Sequence, residues 1–168
     1  VYQGEELGLP EHTALPDEVR QDPTFARTDG LELGRDGCRV PMAWEQGAPA
    51  LGFSRTGAAW LPQPPSYSDL AVDAQTGVEG STLELYRRLL ALRRERRLGL
   101  AGLDEVEGLA DDVVGYVASS PDGTRTLVVA NLGTEPVALP EGARLLVASG
   151  DLADGRVPTD TAVWADLG

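Results

Sequence analysis

Residues 34–44, GRDGCRVPMAW, set two arginines, an aspartate, a cysteine, a proline and a tryptophan side by side in a chain whose formal net charge is -13. Three chemistries are open to such residues. Nucleophilic catalysis needs a Ser or Cys within reach of a His base that a third group orients. Cys38 and His12 can be paired on paper, but no nucleophile elbow accompanies them, so Cys38 is read as a small buried packing residue and His12 as a surface loop residue. Acid/base work on a glycosidic bond needs two carboxylates facing each other across the substrate. The acidic doublets here are sequence neighbours, Glu5-Glu6, Asp17-Glu18 and Asp111-Asp112. Neighbours on an extended strand point to opposite faces, so no doublet makes a facing pair by itself, although two acids from different loops could still meet.

Metal and phosphate chemistry find little support. One histidine and one cysteine cannot build a His- or Cys-rich site. DLADGR, from Asp151, lacks the spaced oxygen ligands and terminal Glu of a calcium loop and reads as a turn. There is no glycine-rich phosphate loop. No metal and no cofactor are expected.

Composition narrows the class further. With 42% hydrophobic residues in 168, the chain can bury a core, as one domain or two small ones. A sequence pI near 4.4 argues against nucleic acid and anionic membranes as partners. The lone cysteine fits a reducing compartment, so the expected location is cytoplasmic. No apolar run approaches the length that spans a bilayer, and no signal-peptide pattern opens the chain. It begins abruptly at Val1 and reads as the tail of something longer.

The elements that must position these residues fall into three regions. Residues 1–78 are rich in Gly, Pro and Asp, with turn signals at Asp29-Gly30, Asp36-Gly37 and 62–65, and little regular structure beyond a short strand or turn at Val1–Gln3. A loop region of this length is usually functional. Ser81 followed by Glu84 predicts a capping box, opening a helix through LELYRRLLALRRERR. Its wide leucine face predicts packing against a sheet. Six arginines between Arg87 and Arg97 complement the C-terminal end of the helix dipole; they fit a solvated helix face, or an acidic partner or RNA. Beyond Gly99, DVVGYVASS and RTLVVANLG flank PDGT and predict a hairpin, and PVALP, ARLLVAS and TAVWADL predict further strands of a small β-sandwich.

In this order, YQGEELGLPE at 2–11, RQDP at 20–23, GRDGCRVPMAW at 34–44, LYRRLLALRR at 85–94 and LVVANLG at 127–133 resemble the α-glucosidase branch of glycoside hydrolase family 13, the α-amylase superfamily. The resemblance covers essentially the whole chain. It implies an α/β plus all-β fold: residues 1–98 as the C-terminal remnant of a (β/α)8 TIM barrel (strand eight, a long insertion loop and helix eight), and residues 99–168 as a small antiparallel β-sandwich. Ala43 departs from the Gln or Pro often found at its position in such sequences.

The implied activity is retaining hydrolysis of α-linked glucosides such as maltose, isomaltose or related oligosaccharides. The nucleophilic Asp, the Glu general acid and the stabilising Asp of such enzymes come from strands four, five and seven, upstream of Val1, so no catalytic residue is expected in this chain. Arg35 matches the arginine that reaches the sugar pocket and pairs with an aspartate of an early strand; a salt bridge holding the loop together is the other role open to it. Arg39 is expected to support the loop, with Asp36 as an available partner. Pro41, Met42 and Trp44 are expected to anchor it by burial, with sugar stacking also open to Trp44. Glu5 and Glu6 would support the catalytic carboxylates or bond the barrel end. The alternatives are a non-catalytic relative serving as scaffold or partner-binding protein, a sucrose- or trehalose-isomerising or transglycosylating member, and a free-standing β-sandwich that binds carbohydrate.

Overall fold

The computed structural model describes residues 1–168, which form two compact units, Val1–Glu84 and Leu85–Gly168.

The first unit is built from short pieces. Three-residue and four-residue 3-10 turns at Glu5–Leu7, Asp17–Val19, Asp36–Arg39, Pro49–Gly52 and Pro65–Ser68 alternate with two short helices, α1 (Pro23–Arg27) and α2 (Val72–Gln75). Proline at the first helical position opens α1 and the turns at Pro49 and Pro65, where a missing N–H costs nothing. Residues 1–3 form no strand, because they find no ladder partner within the chain; they run into a turn ahead of Glu5–Leu7. Regular structure being scarce, the unit holds together through an apolar cluster of Leu15, Val40, Ala43, Leu61, Tyr67 and Ala71. Ala43 is a fully buried member of that cluster, where close packing suits a small residue. Tyr67 is buried too, and its hydroxyl donates to the Pro10 carbonyl at 2.5 Å, joining segments 57 residues apart. Burial pushes that hydroxyl's pKa up, and the neighbouring Cys38 and Glu11 add to the shift.

The long helix, α3 (Thr82–Glu95), begins in the first unit. Ser81 Oγ accepts the Glu84 N–H at 3.3 Å, one half of the predicted capping box; in place of the other half, the Ser81 N–H donates to the Val78 carbonyl at 3.1 Å and Glu84 Oε1 accepts the Gly77 N–H at 2.8 Å. A further cap comes from a distant residue. The buried Gln75 side chain accepts the Leu83 N–H at 3.0 Å and donates to the carbonyls of Leu7 and Leu70, both at 2.9 Å. One amide thus satisfies an orphan donor of the helix start and ties it to the chain's first turn.

The second unit carries the rest of α3 and an antiparallel sheet in the order β1-β2-β3-β7-β5, with a two-stranded ladder β4-β6. The strands are β1 (Gly102–Glu105), β2 (Val113–Ser119), β3 (Arg125–Asn131), β4 (Val137–Ala138), β5 (Arg144–Ala148), β6 (Arg156–Val157) and β7 (Thr161–Asp166). The predicted hairpin is β2-β3, closed by Ser120 N–H to the Thr124 carbonyl at 2.9 Å, with Gly123 at φ +89°. Such a loop needs a left-handed residue at that point, and Gly takes it without a Cβ clash. Asp154-Gly155 makes the turn before β6, both at positive φ, and DLADGR is therefore a tight turn.

Register puts Val117 beside Leu127 and Leu127 beside Ala165, then Val129 beside Val163. These side chains share one face and pack with Val113 and Val157. On the opposite face, Leu85 and Leu89 of α3 line a cleft of about 50 Å³ with Val147, Ala162 and Trp164, so the leucine stripe meets the sheet. Leu90, expected on the adjoining apolar stripe with Leu83 and Tyr86, is 48% exposed. Of the six arginines, Arg96 differs from the other five. Its guanidinium turns inward, donating to Thr126 Oγ1 at 2.6 Å and to Asp166 Oδ1 at 2.5 Å, while Arg87, Arg88, Arg93, Arg94 and Arg97 are exposed. No helix is long and apolar enough to cross a membrane.

Candidate functional site

Two motifs separated in the sequence by residues 24–33 meet in the first unit: RQDP at 20–23 and GRDGCR at 34–39. Asp36 is wholly buried, and its carboxylate joins them. Oδ2 accepts the backbone N–H groups of Gln21 and Asp22, both at 2.8 Å, and Oδ1 accepts the Arg39 guanidinium at 2.5 Å. Asp22, also buried, returns the connection. Its Oδ1 caps α1 through the Thr24 N–H at 2.9 Å, and its Oδ2 accepts the Arg35 backbone N–H at 3.1 Å and Arg35 Nε at 3.4 Å. Arg39 stands 3.5 Å from the same oxygen. The N–H groups of Thr24, then Arg35, hold the Asp22 carboxyl far below the usual carboxylate range, so it is ionised at any physiological pH.

Gly34 makes this approach possible. It sits at φ +69°, and a Cβ there would lie 2.6 Å from Asp22 Cβ and Cγ. The backbone of the GRD segment touches the buried aspartate only because that residue is glycine. Arg20 completes the knot. Its side chain is buried, donates to the carbonyls of Thr13 at 3.0 Å and Leu15 at 2.9 Å, and lies over the Phe25 ring at 5.4 Å.

Arg35 stands apart from Arg20 and Arg39. Its side chain is 81% exposed, its Nε faces Asp22, and its two terminal nitrogens make no bond within the chain. A guanidinium held by Nε presents a free two-nitrogen fork, the geometry that binds a carboxylate or vicinal hydroxyls. Arg39, half-buried, instead pairs with Asp36 and Asp22 and lies against the Trp60 ring, 5.7 Å from its guanidinium carbon.

The remaining singled-out residues scatter. Glu6 Oε2 accepts the Gly4 N–H at 2.9 Å and shapes the first turn, while Glu5 lines a pocket of about 240 Å³ with Tyr2, Glu11, Cys38 and Tyr67. Cys38 is exposed and not buried as its residue type suggested; its thiol donates to the Arg35 carbonyl at 3.1 Å and not to His12. Trp44 does not anchor the loop by burial either, being 47% exposed. Its contribution is through the backbone: its N–H donates to the Leu51 carbonyl at 2.7 Å and its carbonyl accepts the Asp73 N–H at 3.2 Å. Pro41 is buried and Met42 half-buried. The indole facing an open groove of about 690 Å³ belongs to Trp60.

Two acids from different loops do meet, Asp22 and Asp36, but both are buried and occupied by N–H donors, which leaves neither able to move a proton to a substrate. No group of three or more His, Cys, Asp or Glu is arranged to hold a metal ion. Residue type does not single out Asp22. The sequence signal for it is Asp-Pro-Thr, an N-cap followed by proline at the first helical position, which predicts a cap but not a second partner.

The chain order is thus a loop-rich unit tied by paired arginines and aspartates, one long helix and an antiparallel sheet. The profile of the alpha amylase catalytic domain matches residues 1–101, and that of a domain of unknown function (DUF3459) matches residues 73–164. The chain belongs to the alpha-amylase family, glycoside hydrolase family 13. It is 30% identical to the salivary alpha-glucosidase of Aedes aegypti, over 99% of this chain and 29% of that protein. It is 40% identical to a probable alpha-glucosidase of Rhizobium meliloti, over 71% of this chain and 21% of that one. The crystal structure of the alpha-glucosyl transfer enzyme XgtA superposes with a TM-score of 0.79 at 32% identity, covering 99% of this chain and 32% of that enzyme. The chain thus spans under a third of the length of these relatives.

Proposed function

We infer that these 168 residues form the C-terminal part of an α-glucosidase that hydrolyses α-linked glucosides, maltose, isomaltose or related oligosaccharides, with retention of configuration. In this reading residues 1–98 complete the barrel domain and 99–168 are its β-sandwich. The carboxylates that break the glycosidic bond would be supplied by sequence outside these residues, and this chain would supply the arginine that binds the sugar. The observation that carries the reading is Arg35, exposed and held at Nε with both terminal nitrogens free. A pocket arginine would use that fork to pair with a carboxylate and with hydroxyls of the non-reducing glucose. Support for the reaction class comes from relatives named as alpha-glucosidases and an oligo-1,6-glucosidase.

The proposed partner is the sugar alone, without nucleic acid or membrane, in keeping with a net charge of -13. A cytoplasmic setting is part of the same reading, supported by a single cysteine that is free. A second reaction, glucosyl transfer to another sugar, is favoured by the 32% identity to an alpha-glucosyl transfer enzyme. Retaining chemistry serves both, since the covalent intermediate can be intercepted by water or by a sugar hydroxyl.

The test is the action of the complete polypeptide on a chromogenic α-glucoside, with the anomeric form of the first product followed by NMR. The expected product is the α-anomer, and the isolated 168-residue chain should release none. Hydrolysis by the isolated chain would overturn the placement of the carboxylates; an inert complete polypeptide would remove the α-glucosidase reading and leave the scaffold alternative.

A further inference from the structure

We propose that Asp22 is a positioning residue for Arg35: one oxygen of its buried carboxylate takes both the backbone N–H and the Nε–H of Arg35 and so aims the free end of the guanidinium. The inference rests on the reading of Arg35 as a sugar-binding arginine and names what fixes it. An exposed arginine ordinarily samples many rotamers, and ordering it on binding lowers affinity. Here the first carbon of the side chain is fixed by the backbone bond at 3.1 Å and the far end of the stem by the Nε bond at 3.4 Å, both to Asp22 Oδ2. Only the terminal fork remains uncommitted.

The anchor is itself rigid. Asp22 Oδ1 is engaged by Thr24 N–H, its own N–H is held by Asp36, and Gly34 lies against its side chain. A carboxylate with that many fixed contacts cannot follow the arginine, so the arginine must follow the carboxylate. Asp22 touches no substrate in this scheme. It acts through Arg35.

Asp22→Asn separates positioning from capping. Asn caps a helix about as well as Asp but turns its amide nitrogen onto the Arg35 backbone N–H, so a merely structural Asp22 predicts lowered stability with KM unchanged. The amide nitrogen cannot accept from Arg35, so the positioning role predicts loss of the hold on Nε. In the complete enzyme, Asp22→Asn should raise KM for an α-glucoside roughly ten-fold with kcat little changed, the size of one lost charge-assisted bond. Combining it with Arg35→Ala should add nothing to Arg35→Ala alone. Unchanged KM in Asp22→Asn, or effects of the two variants that multiply, would overturn the proposal.

A second readout needs no activity. In the complete polypeptide carrying arginine 15N labels, Arg35 Nε–H should exchange with water more slowly than that of exposed Arg55, and Asp22→Asn should abolish the difference. Equal exchange in both forms also overturns positioning. If Arg35→Ala leaves KM untouched while the exchange difference is present, the sugar-binding reading fails and the Asp22 hold on Arg35 stands.

Discussion

Asp36 and Arg39 form a 2.5 Å ion pair whose carboxylate is wholly buried and whose second oxygen is filled by two consecutive backbone N–H groups. The pair therefore belongs to the structure of the loop, and its loss should register as stability. Asp36→Ala strands the Gln21 and Asp22 N–H groups and a half-buried guanidinium. Breaking one partner of such a pair costs about 3–5 kcal/mol. Urea unfolding followed by the fluorescence of Trp44 and Trp60 should show a loss of that order, whereas Asp36→Asn, which keeps an acceptor, should lose less. A loss under about 1 kcal/mol for the alanine variant would mean that water replaces the carboxylate.

Gly34→Ala places a methyl group where Asp22 already stands and puts an L-residue at φ +69°. The left-handed conformation alone costs about 1–2 kcal/mol. The clash adds to it, because the atoms met are the Cβ and Cγ of a buried side chain that is held from three sides. The variant should be more readily cleaved by protease within residues 20–40 than the wild type, with residues 99–168 unaffected. Equal cleavage in this segment would show that Asp22 can shift.

The elements with a local signal are legible in the sequence. The helix after Ser81, the β2-β3 hairpin around PDGT and the later strands follow from periodicity and turn chemistry, and they stand where those signals put them. The order of motifs likewise leads to the family. What is not legible depends on contacts across the chain. Gln75 as a cap for Leu83, Arg96 as the one of the six arginines between 87 and 97 that turns inward, and Asp22 as the hold on Arg35 join residues 8, 70 and 13 positions apart, and no residue type announces them. Residue type misleads on the burial of Cys38 and Trp44 for the same reason. Average tendencies bury both, while this loop fills its core with Val40, Ala43, Leu61 and Tyr67 and leaves them outside.

Exposure of Cys38 has a direct chemical readout. Its thiol reaches the surface and donates only to the Arg35 carbonyl. In the native chain a disulfide reagent should label it completely, at a rate close to that of the urea-unfolded chain, since no packing must open first. Labelling that waits for unfolding would place Cys38 in the interior after all. The same derivative bears on the pocket of about 240 Å³ that Cys38 lines with Tyr2 and Glu5, because the added group would fill it.

Asp166 makes the stability of the second unit depend on acid. Arg144 donates to its Oδ2 at 2.9 Å and Arg96 to its Oδ1 at 2.5 Å, and these two bonds, Arg144 first, lower its pKa from 3.8 to about 2. The folded form therefore binds its proton less readily than the unfolded form. Stability from this group is complete above pH 4, where both forms are ionised, and is lost as pH falls from there through 2. Asp122, lowered by the Thr124 N–H, acts in the same direction. Asp166→Asn should consequently be less stable than the wild type at neutral pH, and the difference between the two should shrink towards zero between pH 4 and 2. Thermal unfolding of residues 85–168 across that range measures it. A constant difference would mean that the Asp166→Asn change costs packing rather than charge, and that Arg96 and Arg144 do not depend on an ionised partner.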